Sequence, residues 1–169
     1  MKYYTILKTK HLGDLLLVTS AKHLTGIYFM GCDHVPASRD GWELNPAHPV
    51  LKQTVKELQE YFAGKRTSFS IPLQPEGTEF QQEIWRQIAR IPFGETTTYS
   101  ELARRAGAPD AVRAAGTATG SNPLAIVIPC HRIMGKDGAL RGFAGGLDRK
   151  KYLLGVEAEA MNARDFSLA

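Results

Sequence analysis

The sequence predicts two domains: an α/β N-terminal domain, with a small antiparallel sheet followed by a helix, and a mostly helical C-terminal domain with a helix-turn-helix. Two observations predict this fold. Short β-favouring runs and one amphipathic helical period occupy the first half, whereas three helical patterns follow one another in the second. Pro72, Pro75 and Gly77 mark the change, so we place the domains at residues 1–77 and 78–169.

Three short runs rich in β-branched, aromatic and leucine residues open the chain: residues 3–8, 15–19 and 24–30. Gly13-Asp14 and the polar residues 20–23 separate these runs, as turns between antiparallel strands would. Residues 31–49 carry Gly, Pro and Asp and predict a loop.

An amphipathic helix over residues 50–62 ends the first domain, and Gly64 stands where a C-terminal cap would. Helical spacing places four apolar side chains on one face of this helix. They are Leu51, Val55, Leu58 and Phe62.

The second domain begins with Thr78 as the candidate N-cap of a helix that Pro92 and Gly94 end. Its apolar face carries Phe80, Ile84, Trp85, Ile88 and Ile91.

Two shorter helices follow in the second domain. Ser100 is predicted to cap a helix over residues 101–106, and Asp110 to cap another over residues 111–119. Two helices joined by a short break form a helix-turn-helix pattern, which commonly places its second helix on DNA. Many helical hairpins bind nothing, so the pattern alone leaves both possibilities open.

The second of these helices, Ala-Val-Arg-Ala-Ala-Gly-Thr-Ala-Thr from residue 111, has almost only small side chains. Only Arg113 is long enough to read a base edge in the major groove. Small residues would instead allow close approach to a widened minor groove, where Arg113 could fill the hole left by an extruded base. They would equally permit tight helix packing inside the domain.

Bulk properties exclude several classes of protein. The chain has 169 residues and 43% hydrophobic content, enough for real cores, and no export signal or membrane-spanning stretch is evident. Its two cysteines provide no disulfide framework and favour a reducing, cytoplasmic compartment. A net charge of +4 fits attraction to a polyanion such as nucleic acid, although ordinary surface charge explains it equally well.

The segment Ile-Pro-Cys-His-Arg at residues 128–132 places a thiol beside an imidazole and a guanidinium. A cysteine reacts as its thiolate, and neighbouring positive charge lowers its pKa. Consecutive side chains of an extended segment point to opposite faces, however, so the two need not touch. The segment alone therefore favours a buried structural cysteine over a reactive one.

In their order and spacing, several motifs make the chain resemble the O6-alkylguanine-DNA alkyltransferases over about residues 77–157. The motifs are Phe-Gly-Glu-Thr-Thr-Thr-Tyr at 93–99, Ala-Val-Arg-Ala-Ala-Gly at 111–116, Ser-Asn-Pro at 121–123, Ile-Pro-Cys-His-Arg at 128–132, Gly-Phe-Ala-Gly-Gly at 142–146, Arg-Lys-Lys-Tyr-Leu-Leu at 149–154 and Glu157. The first half resembles the family only in the layout of its elements, and this layout implies a ribonuclease H-like domain.

The resemblance implies a DNA repair enzyme, a methylated-DNA–protein-cysteine methyltransferase. A flipped guanine carrying an alkyl group on O6 would transfer that group irreversibly to Cys130, once per molecule and with no cofactor. O4-alkylthymine would be a minor substrate. The expected partner is double-stranded DNA, bound through its minor groove without sequence preference by a monomer, in the cytoplasm or on the nucleoid if the source is prokaryotic.

Roles follow from the resemblance position by position. Cys130 would be the nucleophile, His131 the base acting through a water, Glu157 the carboxylate that orients His131, and Asn122 a brace for the backbone around the cysteine. The base pocket would be formed by Tyr99, Ile133, Phe143 and Ala144. DNA would be contacted by Arg113, Ala114, Ala115 and Gly116.

Three of these residues also have a plain structural interpretation: Glu157 as a solvated carboxylate, Tyr99 as a core tyrosine and Asn122 as a turn residue. Phe143, where many family members have Tyr, removes a hydroxyl from the base pocket and suggests tolerance for larger alkyl groups. Cys32 and His34 are too few ligands for zinc, so no metal is expected.

Two other classes of protein stay open at this point. A non-catalytic lesion-binding relative would lack the cysteine, and Cys130 argues against it. A cysteine hydrolase using Cys130, His131 and Glu157 would turn over repeatedly.

Overall fold

The computed structural model describes residues 1–135 and 143–168, with side chains through residue 164. The N-terminal sheet contains the three expected antiparallel strands, β1 (Tyr3–Lys8), β2 (Asp14–Thr19) and β3 (Leu24–Phe29). These strands are confirmed to within one residue. Four successive residues of β2, residues 15–18, are almost fully buried, which places this strand at the centre of the core.

A fourth strand, β4 (Glu43–Leu44), lies beside β1 and runs parallel to it. The strand order is β3-β2-β1-β4. The expectation of a loop throughout residues 31–49 was therefore incomplete. The two-residue strand gives no sequence signal because it forms only when backbone groups of β1 are available, as in the hydrogen bond from Glu43 N to Lys2 O at 2.9 Å.

Helix α1 (Pro49–Phe62) packs across this sheet. It begins one residue earlier than predicted because the Nδ1 of His48 accepts from Val50 N, which makes His48 the cap, and because Pro49 suits the first helical position. The predicted apolar face is buried at Leu51 and Leu58. Tyr61, which the apolar pattern did not include, is fully buried as well.

The free edge of β3 is occupied by two later segments of the chain, one on each side of the predicted boundary. Leu24 N donates to Pro72 O and Ile27 N donates to Pro123 O, each at 2.8 Å. The second of these bonds ties the N-terminal sheet to the segment that leads to Cys130. The hydrophobic core is continuous across the halves, and the predicted boundary near residue 77 stays a prediction.

Helix α2 (Glu79–Ala89) starts as predicted, with Thr78 and Gln81 forming a reciprocal capping box. It ends before Ile91, which is buried beyond the last turn. The indole nitrogen of Trp85 donates to Ala118 O at 2.8 Å. This bond fixes α2 against the helix that contains Ala118.

A short strand, β5 (Thr97–Thr98), precedes the two helices of the helix-turn-helix, α3 (Tyr99–Arg105) and α4 (Val112–Gly120). The helix pair is confirmed, but both predicted caps are wrong.

Thr98, in extended backbone, caps α3 by accepting from Glu101 N, so Ser100 lies inside the helix. Ala111 occupies the cap position of α4 without a side-chain bond, so Asp110 lies one residue too early to cap it.

The chain then reaches a single 3-10 turn at Cys130–Arg132, strand β6 (Ile133–Met134), which pairs in parallel with β5, and helix α5 (Leu147–Leu168). Within residues 1–135 and 143–168, no helix is long and apolar enough to cross a membrane.

Trp85→Phe should lower the free energy of unfolding by about 1–2 kcal/mol, because it removes a buried N–H donor and keeps most of the aromatic packing. Urea denaturation followed by circular dichroism measures this change. Trp42→Phe is the matched control, since Trp42 is only half-buried and its N–H makes no hydrogen bond to the described residues. Equal losses in both variants would contradict the importance of the bond to Ala118.

Candidate active site

Cys130 begins the 3-10 turn, and only 7% of its surface is exposed. Burial raises the pKa of its thiol, while a hydrogen bond from Asn122 and the charge of Lys150 act in the opposite direction. At neutral pH the thiol is therefore protonated. Contrary to the simplest interpretation of the motif, the adjacent imidazole and guanidinium do not make Cys130 a resting thiolate.

Asn122 braces the backbone that carries Cys130, as expected. Its side-chain amide donates to Ile128 O at 2.8 Å, and its Oδ1 accepts from Leu124 N at 2.9 Å. The braced loop contains Ile126, which has a φ of 72° although it is β-branched and buried. Such a conformation costs energy and persists only where surrounding contacts hold it. The side chain of Asn122 supplies two of those contacts.

His131 and Glu157 form a fully buried pair, with 2.6 Å between Nε2 and Oε2. The interpretation of Glu157 as a solvated carboxylate is therefore wrong. Burial lowers the pKa of His131, and the hydrogen bond and charge of Glu157 oppose this only in part, so the imidazole is neutral. A neutral ring that donates from Nε2 to a carboxylate carries its lone pair on Nδ1.

Nδ1 of His131 is buried and has no hydrogen-bond partner among the described residues. This nitrogen is thus available to accept a proton. The backbone of the 3-10 turn places His131 next to Cys130, and the hydrogen bond to Glu157 selects the tautomer of its ring.

Glu157 accepts hydrogen bonds from three further groups that the sequence did not indicate. Arg132 binds both carboxylate oxygens, at 2.8 and 3.0 Å. Tyr61 Oη donates to Oε2 at 2.6 Å, and Gly94 N donates to Oε1 at 3.0 Å. Burial alone would raise the pKa of Glu157, but the bonds and charges of His131 and Arg132 lower it to about 2. Glu157 is therefore ionised throughout the physiological range.

Lys150 is a further buried side chain near Cys130 that the sequence did not indicate. It is fully buried, and its Nζ donates to Ile133 O at 2.5 Å. Burial lowers the pKa of Lys150, and the neighbouring Cys130 opposes this shift. The sequence of α5 offers a signal only in retrospect, because Lys150 lies on the same helical face as Leu153 and Glu157 at spacings of three and seven.

Of the expected base-pocket residues, Tyr99 is half-buried near Cys130. Its pKa is raised, mainly by burial and to a smaller extent by the charge of Cys130, so its hydroxyl stays protonated. Phe143 packs edge-on against Phe29 with ring centroids 5.7 Å apart.

Ile133 is fully buried and pairs with Thr97 across β5 and β6, whereas Ala144 is exposed. The carbonyls of Cys130 and Ile133 already accept internal hydrogen bonds, from Ile133 N and Lys150 Nζ. Gly142, the first residue of its motif, lies outside the described residues.

The expected DNA-binding residues of α4 separate into two faces. Arg113 and Ala114 are exposed, and Gly116 is half-buried opposite the ring of Tyr99. Ala115 is fully buried, so the expectation that its side chain lies against DNA is wrong. Helical periodicity turns it into the core, where its small size permits close packing.

Cys32 and His34 do not form a metal site with a third ligand. Cys32 Sγ lies 3.2 Å from Nη1 of Arg149, and no group of three or more candidate ligands occurs in the described part of the chain. The expected absence of zinc stays a prediction.

Comparison with known protein families gives matches over both halves. A model described as the DNA binding domain of 6-O-methylguanine DNA methyltransferase matches residues 79–159. A second model, described as the ribonuclease-like domain of the same enzyme, matches residues 2–75.

Curated relatives and a solved structure agree with these matches. Methylated-DNA–protein-cysteine methyltransferases from Mycolicibacterium paratuberculosis and Haemophilus influenzae are 46% and 45% identical, over 86% and 92% of this chain and 87% and 86% of their own lengths. The crystal structure of Mycobacterium tuberculosis OGT in complex with DNA superposes with a TM-score of 0.86, at 39% identity and 94% coverage of both chains.

The lowered pKa of Glu157 predicts a loss of stability in acid. The carboxylate stabilises the fold fully above its unfolded pKa near 4.5, and the contribution of about 3 kcal/mol is lost as pH falls toward 2. In Glu157→Gln this acid-dependent loss should be much smaller. The variant should also be less stable at neutral pH by about 3–5 kcal/mol, because Arg132 loses its buried partner.

Urea denaturation at pH 7 and at pH 3 measures both effects. Glu95→Gln, at an exposed carboxylate, is the control and should follow the unchanged protein at both pH values. An acid-dependent loss of equal size in Glu157→Gln would contradict the assignment.

Proposed function

The chain belongs to the 6-O-methylguanine DNA methyltransferase family and repairs DNA by direct alkyl transfer to a protein cysteine, and we propose that this cysteine is Cys130. It is a suicide alkyltransferase, so each molecule acts once. The observation that carries the assignment is the buried series from Cys130 and His131 to Glu157, in which the last pair is bonded at 2.6 Å.

In the proposed reaction, the proton of the Cys130 thiol passes through one water to Nδ1 of His131. Neutral His131 can accept it because Nε2 already donates to ionised Glu157. The sulfur then attacks the alkyl carbon in line, an S–C bond forms, and the C–O6 bond breaks with its electron pair left on guanine. Tyr99, which stays protonated, donates to N3 of the purine and lowers the charge that develops on it.

The imidazolium that forms on His131 faces the negative charge of Glu157 across the 2.6 Å bond. The buried acceptor therefore stabilises the charge that proton transfer creates. Asn122 would hold the Cys130 backbone in place during the attack, through its bonds to Ile128 and Leu124. Phe143 and Ala144 would line the base pocket, together with the backbone of Ile133.

DNA is the partner of this chain, and the finer features of its recognition belong to the proposal. The exposed face of α4 would lie in the minor groove of duplex DNA, with Ala114 and Gly116 at close approach and Arg113 filling the space of the flipped base. The substrate would be O6-alkylguanine, and binding would be largely independent of sequence. Action as a monomer without cofactor, and a cytoplasmic location, stay predictions.

Incubation with a duplex containing O6-methylguanine, followed by intact mass spectrometry, should add one methyl group per molecule on Cys130. Cys130→Ala should abolish transfer and retain DNA binding in a gel-shift assay, because the thiol is the alkyl acceptor and its residue is only 7% exposed. The control is Cys32→Ala, which should transfer at the unchanged rate. No adduct on Cys130, or repeated turnover with release of product as in a cysteine hydrolase, would refute the proposal.

Arg113→Ala should slow repair of duplex DNA by about tenfold or more, because base extrusion costs a few kcal/mol that the side chain would otherwise offset. The reaction with free O6-benzylguanine, which needs no extrusion, should keep its rate. Rapid-quench kinetics with both substrates measure the ratio of the two rates. Arg86→Ala, at an exposed cation of α2 paired with Glu83, is the control; an equal slowing with both substrates would argue against the role of Arg113.

A further inference from the structure

Tyr61 connects the N-terminal half of the chain to the centre of the candidate site. It lies in α1, is fully buried, and donates to Oε2 of Glu157 at 2.6 Å across 96 residues of sequence. The ring is held by aromatic neighbours with centroids 5.6–6.0 Å away, namely Phe62, Phe69 and Phe93. Neither the sequence motifs nor the proposed reaction uses this residue.

The direction of the hydrogen bond is determined by the two groups that form it. Burial raises the pKa of Tyr61 well above its usual range, and the charge and hydrogen bond of Glu157 raise it further. Glu157 is ionised, so it can only accept. The phenol is therefore a permanent donor to Oε2.

The same oxygen is the acceptor for the imidazole. Oε2 of Glu157 is 2.6 Å from both Tyr61 Oη and His131 Nε2, and Oη lies 3.4 Å from Nε2. Arg132 Nη2 donates to this oxygen as well, at 3.0 Å. Donors that share one carboxylate oxygen compete for its electron density. The strength with which Glu157 holds and charges His131 therefore depends on Tyr61.

We propose that Tyr61 is a positioning residue for the reaction, a role that rests on the alkyl transfer proposed above. Its hydroxyl, supplied by the N-terminal half, fixes the Glu157 carboxylate and sets how readily His131 accepts the proton of Cys130. The structure thus gives the N-terminal half a direct part in the chemistry of the other half.

Other charged and titratable groups face this cluster and stay in place when Tyr61 is changed. Arg132 binds both oxygens of Glu157, and Lys150 and Tyr152 lie on the same helix as the carboxylate. Lys150 lowers the pKa of His131, as does Arg132. None of these groups replaces a donor to Oε2 at the position of the phenol.

The sign of the effect follows from the charge on Glu157. A phenol that donates to the carboxylate disperses its negative charge and weakens its attraction for an imidazolium. Removal of the hydroxyl concentrates that charge, favours protonated His131 and raises the pKa of the imidazole. The neutral base that the reaction needs is then available only at higher pH.

Tyr61→Phe in the full chain tests the proposal, since it keeps the ring and removes only the hydroxyl. The acid limb of the rate of methyl transfer, and the titration of His131 followed by NMR, should both move upward by about half a pH unit or more. His131→Gln identifies the NMR signal. Tyr3→Phe is the matched control, because the Tyr3 ring packs against His48 and its hydroxyl makes no hydrogen bond within the described part of the chain. Both curves should be unchanged.

A second variant applies if Tyr61→Phe fails to fold. Site-specific 3-fluorotyrosine at position 61 keeps the bond and makes the phenol a stronger donor, so the same two curves should move downward. Curves that stay within about 0.2 pH unit in the folded variant would overturn the proposal, whatever happens to thermal stability.

The two proposals fail in distinguishable ways. Without methyl transfer by the unchanged protein, the proposed role of Cys130 is lost, whereas a shifted His131 titration in Tyr61→Phe still supports the link. Normal methyl transfer with an unmoved titration overturns the role of Tyr61 alone.

Discussion

The buried carboxylate of Glu157 is the constraint on which the rest of the structure depends. An ionised carboxylate removed from water is costly unless hydrogen bonds and opposite charge compensate it. Glu157 receives five such bonds, from α1, from the loop after α2 and from two side chains of the 3-10 turn, while the carboxylate itself belongs to α5. Because these donors come from three different parts of the chain, satisfying one charge fixes the relative positions of most elements around the site.

The same network leaves both Cys130 and His131 uncharged at rest. The thiol of Cys130 is protonated at rest and the imidazole of His131 is neutral, so the buried site contains no thiolate at rest. In the proposed reaction, thiolate formation moves a proton to His131, and Glu157 favours that movement. Lys150, buried beside the cysteine, stabilises the thiolate once it forms. A buried, protonated thiol is less reactive toward oxidants and electrophiles than a thiolate.

Sequence reasoning recovered the elements that carry strong periodic or capping signals and missed those that depend on distant partners. The central strands and the capping box at Thr78 were predictable because their signals are local. The cap at Thr98 and strand β4 were not, since each is selected by a backbone group elsewhere in the fold. Motif order placed Cys130, His131 and Glu157 correctly as neighbours. Tyr61 and Lys150 were not predicted, because a buried tyrosine or lysine on a helix resembles any other until its partner is known.

The edge of β3 has a consequence for how separable the halves of the chain are. Its backbone donors at Leu24 and Ile27 bond to carbonyls of Pro72 and Pro123, one from each side of the expected boundary. An excised N-terminal fragment would leave the Ile27 donor exposed on an open strand edge, a template for self-association. The C-terminal fragment would lose an anchor for the Asn122 loop and the phenol that holds Glu157. The two halves are thus not interchangeable modules, and recombination between relatives should preserve matched pairs of halves.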